Sequence, residues 1–99
     1  MNLPRLLLCV LLWTGLSLPA AADDHERIRQ LVIEGRILPL EQILKAVRER
    51  RAGRVLETEL ERRGGRHVYE IEVLDEHGIV WELYFDAATG EFLKEDQED

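Results

Sequence analysis

Apolar and polar residues alternate along the second half of the chain, in stretches separated by glycine-containing turns. A period of two is typical of strands that bury one face. It predicts three strands, at residues 54–63, 66–74 and 79–86. Gly64-Gly65 predicts a two-residue hairpin turn between the first two strands, because both central residues of such a turn have positive φ. A second turn is predicted at residues 75–78, and a third turn leaves room for a short fourth strand at residues 91–93.

Ahead of these strands, apolar residues recur every three or four positions, which predicts helices with one apolar side. The main helix is predicted from Pro39, which suits the first helical position, to the residues before Gly53. A shorter helix is predicted to begin at Asp23, where Asp23 and Glu26 form a capping box, and to end near Gly35.

Together these elements predict an α+β fold, with one main helix and a short N-terminal helix packed on one face of a three-stranded antiparallel β-meander. The predicted core joins the apolar side of the main helix to the inward residues of the strands, namely Leu40, Ile43, Leu44, Val47, Leu56, Leu60, Tyr69, Ile71, Val73, Trp81, Leu83 and Phe85. Thr58 is predicted on the same inward face.

The first 22 residues have the pattern of a secretory signal peptide, with Arg5 ahead of an apolar run and small residues at its end. Cleavage is predicted between Ala22 and Asp23. An uncleaved anchor is the alternative, although the apolar run is shorter than the roughly 20 residues of a spanning helix. The processed chain is expected to be periplasmic or secreted, without a stable membrane anchor. The predicted segments are a signal peptide, a short helix with its linker, one domain and an acidic tail, at residues 1–22, 23–37, 38–94 and 95–99.

The processed chain is strongly acidic, and its charge is unevenly distributed. It keeps all 20 acidic residues and loses only Arg5 among the 13 basic ones, so its net charge is 12 − 20 = −8. Residues 67–99 hold 11 acidic residues and a single base, Lys94, for a net charge of −10. This balance argues against binding to nucleic acid or to an anionic membrane.

Several short motifs in residues 38–93 resemble, in order and in spacing, those of the PepSY domain family, which is named for the propeptides of secreted peptidases and for a spore-associated protein. These motifs are Gly53 before the first strand, Tyr69-Glu70-Ile71 in the second strand, Gly78 in the turn and Asp86-Ala87-Ala88-Thr89-Gly90 after the third strand. The resemblance implies one helix followed by a three-stranded antiparallel sheet. It also implies a role in binding, since such domains in propeptides are thought to restrain the peptidase. Nothing here resembles a peptidase, so a free-standing secreted domain is expected.

Catalytic groups are scarce in the processed chain. Cys9 and Ser17 are the only cysteine and the only serine, and both lie in the predicted signal peptide. A serine- or cysteine-based catalytic triad is therefore excluded. We expect no enzymatic activity, no catalytic residue and no cofactor.

Metal binding has little support in the residue spacing. His25, His67 and His77 are scattered, without the short spacings of metal-binding motifs. Asp75-Glu76-His77 offers a weak divalent-ion site, but a turn in which Asp75 bonds its own backbone is the favoured interpretation. No metal site is predicted.

Arginines cluster at the end of the main helix and around the Gly-Gly hairpin, at Arg48, Arg50, Arg51, Arg54, Arg62, Arg63 and Arg66. An anionic-ligand site is one interpretation. Compensation of the helix dipole, together with pairing to the acidic strands, is the favoured one.

The polar face of the predicted sheet is the best candidate for a functional surface. Its residues are the glutamates of three neighbouring strands and one aromatic residue, namely Glu57, Glu59, Glu61, Glu70, Glu72, Glu82 and Tyr84. Like charges opposite one another destabilise a sheet, so arginines, water, cations or a partner must offset the repulsion. One hypothesis is docking of a basic protein partner, such as a secreted peptidase or an envelope sensor. The other is a ligand or cation sensor, with calcium as the best match to carboxylate ligands. A solvated face that prevents edge-to-edge association is the simpler alternative.

Overall fold

The computed structural model describes residues 20–98, and the side chains from His25 onward. It has two helices and four strands, namely α1 (Ala20–Ile33), α2 (Leu40–Arg50), β1 (Arg54–Arg63), β2 (Arg66–Leu74), β3 (Val80–Asp86) and β4 (Phe92–Glu98). The strands form one antiparallel sheet in the order β1-β2-β3-β4. The predicted α+β class is therefore confirmed. The predicted signal peptide lies mostly outside the described residues.

The first two strands are joined as the Gly-Gly pair predicts. Gly64 and Gly65 have φ values of 57° and 80°. Only glycine adopts such values without strain, and consecutive positive φ values match the twist of the two flanking strands. The turn sets Arg63 opposite Arg66, and this fixes the register of the whole hairpin.

Helix α2 covers one face of the sheet with its apolar stripe. Pro39 precedes the helix with φ −59° and ψ 145°, so it lies one position before its predicted place. Ile43 and Val47 are each only 1% exposed. Arg48 and Arg50 lie in the last turn, where positive charge complements the helix dipole.

The buried core matches the predicted inward face of β2 and β3. Ile71, Val73 and Leu83 are completely buried. The core cluster consists of Leu31, Ile37, Ile43, Val47, Tyr69, Ile71, Val73, Leu83, Phe85 and Ala87. The remaining predicted core residues, apart from Leu56, are partly buried against it, namely Leu40, Leu44, Leu60 and Trp81.

The prediction for Leu56 is wrong, because β1 contains a bulge. Val55 lies opposite Val73, while Glu57 already lies opposite Glu72, which leaves Leu56 as the extra residue. An extra residue reverses the side-chain alternation on one side of the bulge. Val55 therefore packs against the core, and Leu56 is 41% exposed.

Thr58, which was predicted to point into the core, is exposed. It has the predicted register opposite Ile71, but it lies on β1 at the edge of the sheet. An edge strand has no neighbour on its outer side, so its inward residues are less covered.

Both ends of the domain differ from the sequence prediction. Helix α1 begins at Ala20 rather than Asp23, and it contributes Leu31 to the core. At the other end, residues 95–98 do not form a tail but continue β4, which pairs with β3 as far as Glu98 opposite Val80. The sheet thus has four strands of substantial length rather than three strands and a short fourth. A contact that the sequence pattern does not reveal holds the longer β4 in place: the Glu95 carboxylate accepts a hydrogen bond from Arg51 Nε at 2.6 Å.

Candidate interaction surface

Carboxylates lie directly opposite one another across the sheet face that points away from the core, here called the outer face. The first row, one residue from each strand, is Glu57, Glu72, Glu82 and Asp96. Cβ atoms of directly opposite residues lie about 4.5–5.5 Å apart, so each carboxylate meets another within reach. We call this row the carboxylate row.

The carboxylate row holds a proton near neutral pH. A hydrogen bond with Glu57, together with desolvation and repulsion from Glu98 and Glu57, raises the pKa of Glu72 to about 7. The hydrogen bond requires a protonated partner, and repulsion disfavours a second negative charge. Above neutral pH the row therefore loses its proton and its charges repel fully.

The second row on the outer face is Glu59, Glu70, Tyr84 and Lys94. A hydrogen bond with Glu70, followed by desolvation and the charges of its neighbours, raises the pKa of Glu59. Carboxylate oxygens of Glu59, Glu61 and Glu70 all lie within 4.8 Å of one another. Clustered carboxylate oxygens suit a hard cation such as calcium.

Tyr84 lies on the outer face, as predicted, but it is only 6% exposed. Its hydroxyl donates to Glu70 Oε1 at 2.7 Å and lies 3.1 Å from Glu82 Oε2. These carboxylates raise the pKa of the hydroxyl, with the Glu70 hydrogen bond as the largest cause. Its ring lies near two cations, 4.8 Å from the Arg63 guanidinium carbon and 4.7 Å from Lys94 Nζ. Tyr84 therefore holds the two rows together and offers little surface of its own.

Asp86, at the end of β3, has a structural task. Its Oδ1 accepts the backbone N–H groups of Ala88 and Thr89 at 2.8 and 3.1 Å. A carboxylate that bonds the backbone two and three residues ahead fixes a turn. The Asp-x-x-Thr-Gly motif thus forms the turn that directs β4 back along β3.

The turn at Asp75 is confirmed in the form that the sequence favours. Asp75 accepts backbone N–H groups from His77 and Ile79 at 2.8 and 2.9 Å, and the indole N–H of Trp81 at 2.8 Å. These bonds, the Trp81 bond foremost, lower the pKa of Asp75. Its carboxylate is thereby committed to the turn rather than to a metal ion.

Two of the clustered arginines pack against aromatic rings. The Arg51 guanidinium carbon lies 3.7 Å from the centre of the Trp81 ring, and that of Arg50 lies 3.3 Å from the centre of the Phe92 ring. Arg51 also pairs with Glu95, and their hydrogen bond raises the pKa of Arg51 and lowers that of Glu95. The Arg51–Glu95 pair supports the interpretation in which the arginines pair with the acidic strands, over an anionic-ligand site.

A family model described as peptidase propeptide and YPEB domain, PepSY, matches residues 37–96. The chain belongs to the PepSY family. The matched range takes in α2 and all but the last two residues of β4, so most of the longer fourth strand lies within the PepSY domain. PepSY membership indicates a regulatory or binding domain of the peptidase-propeptide type. No curated protein and no solved structure matches the chain.

Among the described residues, neither helix has the length and apolar character needed to cross a membrane.

The structure brings all seven predicted surface residues onto the outer face, and Asp96 and Lys94 extend their rows. Sequence reasoning missed these two residues because β4 is polar on both faces and shows no alternation. Arg63 belongs to the arginines clustered around the hairpin, but its position beside Tyr84 follows only from the hairpin register.

Proposed function

We propose that this PepSY domain is a non-catalytic binding module of the periplasm or the extracellular space, whose outer face docks a basic surface of a protein partner. The partner is a secreted peptidase or an envelope sensor, and docking regulates it. The contact residues are the exposed and half-exposed glutamates of the outer face, namely Glu57, Glu59, Glu61, Glu70, Glu72 and Glu82, with Tyr84 as their support.

The carboxylate row is the observation that carries this proposal. Four acidic residues opposite one another across four strands are unfavourable for the isolated domain. Within the row, the hydrogen bond with Glu57 is the largest cause that raises the pKa of Glu72 to about 7. A solvated face needs polar residues, but it does not need four of the same charge in one row. A basic partner converts this repulsion into attraction, and it favours association with the row over other surfaces.

Proton release gives the proposed interaction a pH dependence. A cationic side chain against Glu72 favours the ionised carboxylate and lowers its pKa. Binding therefore releases the proton that the free row holds, so affinity increases as pH rises through about 7. Raised salt concentration weakens the interaction, since exposed charges are screened.

Crosslinking in the native compartment, followed by mass spectrometry, tests the proposal. The variant Glu57→Lys, Glu59→Lys, Glu72→Lys reverses the outer face without removing the carboxylates that bond Tyr84. Its matched control, Glu41→Lys, Glu49→Lys, Glu76→Lys, makes the same change of charge at exposed sites elsewhere. We expect the control to capture the same partner as the wild type and the outer-face variant to lose it. Equal capture by both variants would contradict the proposal.

A second candidate function, a calcium sensor, is favoured by the cluster of Glu59, Glu61 and Glu70, whose oxygens lie within 4.8 Å of one another. Calorimetric titration with calcium and a shift in melting temperature test it. A sensor loses both responses in the variant Glu59→Gln, Glu61→Gln, Glu70→Gln and keeps them when Glu57 and Glu82 are changed to glutamine. Absence of heat and of any shift for the wild type would rule this function out.

A further inference from the structure

Strand β1 has an edge that no other strand pairs with in the part of the chain that the structure describes. Arg63 and Arg66 flank the two-residue turn and so form a hydrogen-bonded pair. Hydrogen-bonded and non-hydrogen-bonded pairs alternate along an antiparallel ladder. Leu60 opposite Tyr69 and Thr58 opposite Ile71 are therefore non-hydrogen-bonded pairs. Their backbone N–H and C=O groups point away from β2.

A contact from helix α1 agrees with this direction. Arg27 Nη2 donates to the Leu60 carbonyl oxygen at 3.2 Å, and the contact is exposed. The carbonyl thus points to the side opposite β2, where an added strand would replace the Arg27 contact. At the other end, the bulge at Leu56 interrupts the ladder. The accessible edge is therefore short, extending from about Glu57 to Arg62.

A groove runs beside this edge. It has a volume of about 330 Å³ and is bordered by α1, by the start of α2 and by β1. Its lining residues are His25, Ile28, Leu40, Glu57, Thr58, Glu59 and Leu60. A strand added to β1 would turn every second side chain into this partly apolar groove, because side chains alternate between the two faces.

The other side chains of an added strand would face the acidic side of β1. Glu57, Glu59 and Glu61 project from the outer face of this edge, so the opposing positions favour lysine or arginine. A second copy of β1 is a poor occupant. Parallel in-register pairing, or antiparallel pairing centred on Glu59, would set glutamate against glutamate.

We propose that β1 accepts an extended peptide segment as a fifth strand, with basic side chains over Glu57, Glu59 and Glu61 and alternating apolar side chains in the groove beside Thr58 and Leu60. This inference rests on the proposed function, because the protein partner supplies the segment. Backbone hydrogen bonds to the edge give affinity, and the alternation of basic and apolar residues gives specificity.

The test uses the processed chain and an eight-residue peptide that alternates lysine and valine. Thr58→Pro removes the outward N–H that an added strand needs, but it removes no bond to β2, so the fold is retained. Thr58→Val keeps that N–H and is the matched control. We expect Thr58→Pro to weaken binding at least tenfold and Thr58→Val to change it less than twofold. Melting temperature checks that both variants fold.

Amide hydrogen exchange locates the added strand. Binding of the peptide should protect the Thr58 and Leu60 amides, and a peptide that alternates glutamate and valine should not bind. Equal affinity for Thr58→Pro and wild type would overturn the proposal. Protection confined to β4, the other edge of the sheet, would overturn it as well. A dimer of the chain that dissociates in Thr58→Pro would also overturn it, because the β1 edge would then pair with a second copy.

The same crosslinking experiment separates this inference from the proposed function. If the lysine variant of the outer face loses the partner while Thr58→Pro retains it, docking on the face stands and strand addition is wrong. If the wild type captures no partner at all, the proposed function fails. The peptide experiment alone then tests whether a strand adds to the edge of β1.

Discussion

Glu72 shows how a single residue links the sheet register to solution behaviour. It lies between Glu57 on β1 and Glu82 on β3, so its carboxylate has an acidic neighbour on both sides. A raised pKa means that the folded state binds a proton more tightly than the unfolded state does. The protonated row contributes stability that is complete below pH 4.5 and is lost as pH rises through about 7.

Replacing Glu72 with glutamine should remove this pH dependence. Glutamine keeps the shape and can donate a hydrogen bond at any pH, so we expect Glu72→Gln to stabilise the domain at pH 8 by about 1 kcal/mol, a value reduced for solvent screening. At pH 4.5 the variant and the wild type should be nearly equal. Urea denaturation at several pH values between 4.5 and 8 measures the difference.

Comparison of variant with wild type isolates Glu72 from other titrating groups. Burial and nearby arginines lower the pKa of His67. Its titration therefore makes the domain more stable as pH rises, which is opposite to the effect of Glu72 over an overlapping pH range. This contribution of His67 is the same in the variant and in the wild type. Glu76→Gln, at an exposed site in the turn, is the control and should leave the pH profile unchanged. Parallel profiles for Glu72→Gln and wild type would show that the row holds no shared proton.

Gly53 links α2 to β1 at a position where only glycine fits. Its φ is 152°, and an added Cβ would clash with the Leu74 carbonyl oxygen and lie 2.8 Å from Val73 Cγ1. We expect Gly53→Ala to destabilise the domain by about 2 kcal/mol or more, from backbone strain and from displacement of β2. Chemical denaturation measures this loss.

Gly78→Ala is the matched control for Gly53→Ala. Gly78 also has a positive φ, of 80°, but an added Cβ there meets nothing within 4 Å. The variant Gly78→Ala should therefore lower the free energy of unfolding by the cost of the backbone conformation alone, about 1 kcal/mol. Equal losses for the two variants would mean that the close approach of Gly53 to β2 contributes nothing.

At the scale of elements, the sequence predicts those with a clear period and misses those without one. In strands β2 and β3 every second residue is apolar, so their inward residues were predicted correctly, from Tyr69 to Val73 and from Trp81 to Phe85. In β1 the alternation also looked regular, but the bulge at Leu56 arises from pairing with β2, which a single strand does not reveal.

The candidate surface was also predictable from the alternation of residues along the strands, although not in every detail. Glutamates at every second position of β1 and β2 had to share a face once the register was known, and they do. Burial of Tyr84 was not predictable, because it depends on Arg63 and Lys94, which come from the hairpin end and from β4.

Strand β4 should stabilise the domain although its sequence has the composition of a tail. Ending the chain after Lys94 removes the Glu95 partner of Arg51 and the strand that pairs with Trp81 and Glu82. We expect a loss of about 2 kcal/mol or more, since a hydrogen-bonded ion pair and several ladder bonds disappear together. The fluorescence of Trp81, the only tryptophan among residues 23–99, should shift to the red.

A chain that ends after Glu98 is the control for this truncation. It keeps every residue of β4 and loses only the last acidic residue, so its denaturation midpoint and fluorescence should equal those of the full chain. If the chain that ends after Lys94 behaved in the same way, residues 95–98 would be a tail in solution.

At the scale of the whole molecule, charge is unevenly distributed along the chain. The helical part and β1 together are slightly basic, while residues 67–99 have a net charge of −10. Several arginines of the basic part are already paired or stacked, as Arg51 is with Glu95 and Trp81. On the outer face, Arg63 pairs with Glu61 and Lys94 pairs with Asp96. In the part of the chain that the structure describes, Glu57, Glu72 and Glu82 have no ion pair, so the repulsion is greatest among these three.

Sodium chloride should stabilise the domain for this reason. The Debye length falls from about 10 Å at 0.1 M to about 3 Å at 1 M, which screens repulsion between neighbouring rows of exposed carboxylates. We expect the melting temperature at pH 8 to rise by several degrees between 0.02 and 0.5 M salt. The variant Glu57→Gln, Glu72→Gln, Glu82→Gln should start at a higher melting temperature and respond less. A melting temperature that falls with salt would mean that attractive pairs, such as Arg51 with Glu95, outweigh the repulsion of the outer face.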